Sequence, residues 1–160
     1  MQPVRENVEA MLAPARQEIL YEPLGVVAVY GAWNAPMSTT VKPLITAISA
    51  GNCCFVKPSE MSPNIADMIK KLVESYLDTK AIAVINGGPE LGKKMNSQKF
   101  DLICFTGSTQ VGKIVATEAA KNLVPCILEL GGKCPFIVDL DADINTAATK
   151  CMMAKTLNSG

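Results

Sequence analysis

The run VPCILELGGK, residues 124 to 133, places one carboxylate, Glu129, at the far end of an apolar strand-type segment, with Gly131, Gly132 and Lys133 behind it. A charge in such a setting is costly unless it is paired or used. Two readings stand: a strand-end ion pair with Lys133, or a general base beside glycines that let backbone or ligand come close. Three other stretches offer chemistry with a similar ambiguity. In FTGSTQVG, residues 105 to 112, Gly107 permits close approach and Ser108 and Thr109 offer hydroxyls, while the amides of a helix start could receive a diphosphate. The turn departs from GxGxxG and equally suits an N-capped strand-to-helix turn. In KPSE, residues 57 to 60, Lys57 and Glu60 can hold a ribose diol at the carboxyl edge of a sheet, or form a solvated charged turn. In AWNAP, residues 32 to 36, Asn34 is either a neutral amide donor for an oxyanion or a turn asparagine before proline.

Composition narrows the chemistry. The 160 residues contain no histidine, which excludes a histidine base, a Ser/His or Cys/His pair and imidazole zinc sites. Acid and base work therefore falls to carboxylates, lysines or thiols. No metal site is expected. Fifteen basic and fifteen acidic residues cancel, and no block of like charge supplies the footprint of a nucleic-acid binder. A small neutral or locally anionic ligand is the expected partner. The six cysteines lie inside apolar runs without CxxC spacing and read as reduced packing thiols, which makes the cytosol the default compartment. The start MQPVRENVEA is not a signal peptide, and no apolar run is long enough to span a membrane.

These groups need elements to position them. The spacing of Val4, Val8, Met11 and Leu12 predicts a short helix ended by Pro14, before the extended stretch QEILYEP. Beyond it strands and helices alternate, which predicts an α/β fold with a mostly parallel sheet and crossover helices. Strands are expected at 24–33, NCCFVK, AIAVI, DLICFTG, VPCILEL and CPFIVDL. Helices are expected over about Thr40–Ala50, with Pro43 in its first turn, after the Ser62-Pro63 cap, over PELGKKMNS, over TQVGKIVATEAAKNL and over about Ile144–Leu157.

Taken in order, EPLGVV, AGNCCFVKPSE, YLDTKA, INGGPE, FTGSTQVGKI and LELGGKCP resemble the aldehyde dehydrogenase superfamily, and within it the class 3 branch, with plant-type members most similar in wording. The resemblance runs from about residue 18 to residue 160. It implies a Rossmann-like cofactor domain over 1–130 and the beginning of a catalytic domain over 131–160. It also implies NAD as cofactor, with NADP accepted by many class 3 enzymes, and an aldehyde substrate. By motif, Lys57 and Glu60 would hold the adenine ribose, and Gly107, Ser108, Thr109, Gln110, Val111 and Gly112 would line the phosphate-side turn. Trp33, Leu130 and Gly131 would lie near the cofactor, Asn34 would donate to the oxyanion, and Glu129 would be the general base. A cysteine thiolate would attack the aldehyde, hydride would leave, and water deprotonated by Glu129 would hydrolyse the thioester to a carboxylic acid.

The family's nucleophile sits in a stretch resembling NSGQxC, and here the match stops at LNSG, residues 157 to 160. None of the six cysteines corresponds to it, so the chain as it stands is expected to be inactive alone. The alternative is a product that retains only cofactor binding or association with a partner. Full-length members are typically homodimers through a β-hairpin not found in these residues. An organellar address or a C-terminal membrane anchor, carried by some relatives, would leave no mark on this sequence.

Overall fold

The computed structural model describes residues 3–158, so Ser159 and Gly160 of the LNSG match lie outside the described residues. Two short strands open the chain, β1 (Val4–Glu6) and β2 (Gln17–Ile19), paired antiparallel with Arg5 opposite Glu18. The helix expected near the start is therefore replaced by a ribbon. Only Ala10–Leu12 form a helical turn, of 3-10 type, and none of its residues is buried. With no core for the Val4 to Leu12 stripe to face, its periodicity has nothing to stabilise it.

The body is a five-stranded parallel sheet built from β3 (Val26–Tyr30), β4 (Cys53–Lys57), β5 (Ile82–Val84), β6 (Leu102–Gly107) and β7 (Cys126–Leu130). Its order is β5-β4-β3-β6-β7, so the chain winds outward from β3 to one edge and then returns to build the other. Helices α1 (Pro36–Ser49), α2 (Pro63–Tyr76), α3 (Pro89–Asn96) and α4 (Thr109–Ala120) make the connections, and α5 (Ile144–Thr156) follows the last strand. The central strand is apolar throughout because both of its faces are covered: Val27, Ala28 and Val29 are each at most 1% exposed. Period-two alternation divides the core. Val27, Val29, Cys54, Val56, Ile82 and Val84 pack with Leu44 and Ala47 of α1 and Ile69 and Val73 of α2. Ala28, Tyr30, Ile103 and Phe105 pack with Met95 of α3 and Val115 and Ala119 of α4.

Three local expectations need correction. α1 begins at Pro36 rather than near Thr40, so Pro43 lies inside the helix and leaves the Thr39 carbonyl without its usual amide donor. Ser62 stands at the N-terminus of α2 but makes no capping bond there. CPFIVDL is not a strand, since residues 131–139 carry no strand pairing and all are exposed, with Ile137 at 90%. A strand needs a neighbouring ladder to satisfy its backbone, and among the described residues none lies beside this segment.

Candidate functional site

The sheet order reverses between β3 and β6, and in open parallel sheets a crevice for ligands forms at the carboxyl ends of the strands on either side of such a reversal. The loop after β3 carries Trp33 and Asn34, and the turn after β6 is Gly107-Ser108. The turn after β4 holds Lys57 through Glu60, and β7 ends with Glu129 and Leu130. The sequence candidates from four separate stretches therefore converge on one edge.

At the β4 turn, the Lys57 ammonium donates to Glu60 Oε2 at 2.7 Å and to the Pro58 carbonyl at 3.4 Å. Lys57 is buried and Glu60 is partly exposed, with side-chain exposures of 8% and 41%. Burial pushes the Glu60 carboxyl up. The Lys57 hydrogen bond, a backbone hydrogen bond and the Lys57 charge outweigh it and hold the group below the usual carboxylate value. The turn therefore presents a fixed carboxylate with one oxygen already engaged by an ammonium. Beside it a cavity of about 170 Å³ is lined by Pro58, Glu60, Pro63, Asp67, Asn86 and Gly88. Sequence reading missed the Asn86 side-chain amide, which donates to Asp67 Oδ1 at 2.6 Å.

At the β6 turn, Ser108 caps α4, its Oγ accepting from the Val111 amide at 3.3 Å, while the Gly112 amide bonds the Ser108 carbonyl. The amides of Thr109 and Gln110 have no acceptor among the described residues. An anion at the start of this twelve-residue helix would meet both them and the positive end of the helix dipole. Ser108, Thr109, Gln110 and Val111 are exposed, in keeping with a ligand-facing turn. Gly112 is buried, and a Cβ there would meet Leu130 Cδ2 at 2.6 Å, so its small size lets α4 approach β7. At Gly107 a Cβ would lie 2.6 Å from the Phe105 ring.

The loop after β3 is tied from three directions. The Gly31 amide donates to the Lys57 carbonyl at 3.0 Å, the Thr39 hydroxyl accepts from the Ala32 amide at 2.9 Å, and the Ser62 hydroxyl donates to the Trp33 carbonyl at 3.1 Å. The Ser62 hydroxyl, predicted to cap its own helix, is spent on this loop instead. Gly31 is required because a Cβ would collide with Thr40 Oγ1 as α1 leaves the strand. Trp33 and Asn34 are both exposed.

Glu129 lies opposite Thr106 of β6. Its neighbours Leu128 and Leu130 pack into the core under α4, so alternation turns Ile127 and Glu129 to the other face of the sheet. α1 and α2 cover the β3–β5 side of that face and leave Ile127 60% exposed and Glu129 open. No ion pair between Glu129 and Lys133 forms among the described residues, which removes the simpler reading of that carboxylate. All six cysteines are unpaired. Burial pushes the Cys54 thiol up to about 11, and burial also raises Cys104 and Cys126, the wrong direction for a nucleophile.

Residues 4–160 match the model of the aldehyde dehydrogenase family. The chain is 48% identical over 99% of its length to aldehyde dehydrogenase family 3 member A2 of Pongo abelii, covering 32% of that protein. It is also 48% identical over 87% of its length to a Mus musculus protein named aldehyde dehydrogenase, dimeric NADP-preferring, covering 31% of that protein. A substrate-bound structure of Staphylococcus aureus AldH superimposes with a TM-score of 0.96 at 41% identity, over 99% of this chain and 35% of that one. The chain thus spans about a third of the length of these relatives.

Proposed function

The chain belongs to the aldehyde dehydrogenase family, and from that premise we propose that it forms the dinucleotide-binding part of an enzyme that oxidises aldehydes to carboxylic acids. One observation carries the proposal. A ribose-type hook at the end of β4, an anion-receiving helix start after β6, an amide donor after β3 and an open carboxylate at the end of β7 share the edge where the sheet order reverses. The donor set fits NAD. Glu60 accepts from two ribose hydroxyls while Lys57 holds the carboxylate in place, and the unengaged Thr109 and Gln110 amides receive the diphosphate. When bound, NAD supplies the hydride acceptor. Asn34 donates to the oxygen that gains charge as the aldehyde carbon becomes tetrahedral, and its neutral amide does so without titrating. Glu129 takes a proton from the water that completes the oxidation. Glu60 repels a 2′-phosphate, but Lys57 already offsets part of its charge, so NADP is accepted more weakly than NAD.

Residues 131–160 begin a second domain on this reading, and the whole protein is a cytosolic homodimer. None of the six thiols serves as the nucleophile, so the 160-residue chain binds NAD without turning over aldehyde. Calorimetric titration with NAD, run beside an assay for aldehyde-dependent NADH formation, tests the reading: binding without NADH is expected. Failure to bind NAD in a chain with a cooperative unfolding transition refutes the cofactor assignment, and NADH formation that disappears in Cys134→Ala refutes the exclusion of the present thiols.

A further inference from the structure

We propose that Thr39 and Ser62 are positioning residues for Asn34, holding the loop of residues 31 to 35 from two sides so that the amide donor and the ribose turn move as one body. The proposal rests on the reading of Asn34 as the oxyanion donor. The Asn34 side chain itself has no hydrogen-bond partner among the described residues, so its placement depends wholly on the backbone that carries it. That backbone lies past the last strand pairing, beyond the Gly31 bond to Lys57. The hydroxyls supply what the sheet no longer does.

Thr39 lies in the first turn of α1. Its Oγ1 accepts from the Ala32 amide at 2.9 Å and is within 3.1 Å of the Ala35 carbonyl, to which it donates. One hydroxyl thus clamps the residues on both sides of Trp33 and Asn34. A helical threonine ordinarily bonds only the carbonyl one turn back, as Thr46 does with Lys42 at 3.0 Å, and fixes nothing outside its own helix. The Ala32 bond is the part of the Thr39 arrangement that helix geometry does not explain. Ser62 acts from the opposite side. It stands two residues after Glu60, at the start of α2, and gives its proton to the Trp33 carbonyl at 3.1 Å instead of capping its helix. The loop bearing Asn34 is therefore tied to the turn bearing Lys57 and Glu60 by a side-chain bond at Ser62 and a backbone bond at Lys57. An oxyanion donor misplaced by a fraction of an ångström loses most of its effect, which is the use of such ties.

Trp33 is the sole tryptophan of the chain, so its fluorescence reports this loop alone. The test compares Thr39→Val, Ser62→Ala, the conservative Thr39→Ser and the control Thr46→Val, all without cofactor. It measures amide exchange at Ala32, the side-chain amide resonances of Asn34, acrylamide quenching and anisotropy of Trp33, and the denaturation midpoint. Thr39→Val is expected to speed Ala32 exchange about fivefold, the equivalent of one lost hydrogen bond. Ser62→Ala is expected to raise Trp33 quenching and lower its anisotropy. Both variants should shift and broaden the Asn34 amide signals, Thr39→Ser should restore them, and Thr46→Val should leave all loop signals as they were. Unchanged Ala32 exchange and Asn34 signals in both variants overturn the proposal, as does an equal change in Thr46→Val. Because no cofactor is used, a chain that fails to bind NAD defeats the functional reading and leaves this test intact.

Discussion

Replacing Glu60 by glutamine keeps the shape of the side chain and removes its charge. The carboxylate is held 2.7 Å from the Lys57 ammonium, and 41% of the Glu60 side chain is exposed at the sheet edge. On the proposed role of Glu60, two ribose hydroxyls would then meet a neutral acceptor in place of a charged one, a loss of about 1 to 2 kcal/mol from the charge-assisted part of those bonds. The NAD dissociation constant should rise about tenfold. For NADP the change runs the other way. A 2′-phosphate brings nearly two negative charges to within about 4 Å of the carboxylate, a repulsion of about 2 kcal/mol even in a watery dielectric. Its removal, together with a Lys57 ammonium released to face the phosphate, should offset the lost hydroxyl bonds and strengthen NADP binding. The NAD-to-NADP affinity ratio should fall about a hundredfold. Screening by solvent keeps the cost to the fold within about 1 kcal/mol. Calorimetric titration of wild type and Glu60→Gln with both cofactors, at low and at physiological salt, measures the ratio. Equal weakening of both cofactors, with a ratio insensitive to salt, would refute the assignment of Glu60 as the ribose hook.

Tyr30 donates to Asn96 Oδ1 at 2.7 Å with both residues buried, so Tyr30→Phe orphans that oxygen and should lower stability by about 1 to 3 kcal/mol, read as a shifted urea midpoint at constant slope; a neutral result would show that Asn96 has another donor. The Glu60 carboxyl lies below its usual value when folded, so the stability it contributes is present above the unfolded-state value and is lost as pH falls through the folded one. Glu60→Gln should therefore flatten the acid limb of the stability profile, and an unchanged limb would place the titration elsewhere. Glu129→Gln should leave NAD affinity and the denaturation midpoint within error, because Glu129 is exposed and unpaired; a clear loss of either would assign it a binding or structural duty instead.

The sequence by itself determined the parallel α/β class, the assignment of five of six predicted strands in the body, and the residue types at the four chemical stretches. Those depend on local chemistry: apolar runs flanked by turn residues, a stripe of helical period over Ile65, Met68, Ile69, Leu72, Val73 and Tyr76, and a carboxylate or amide at the end of a strand. It misjudged elements whose state is set by what lies against them. The Val4 to Leu12 stripe had helical spacing but no core to face, and CPFIVDL had strand composition but no neighbouring strand.

Only the tertiary structure decided which groups meet. It put the reversal of strand order between β3 and β6, and with it the common edge for Asn34, Glu60, Ser108 and Glu129. It left Glu129 on the uncovered face without Lys133, and assigned Gly112 to helix packing against Leu130. It also took Ser62 from capping its own helix to holding Trp33, across 29 residues of chain. Spacing rules see three or four residues along a helix and two along a strand. A bond between a helix start and a loop that follows another strand becomes visible only when the sheet brings both to the same edge.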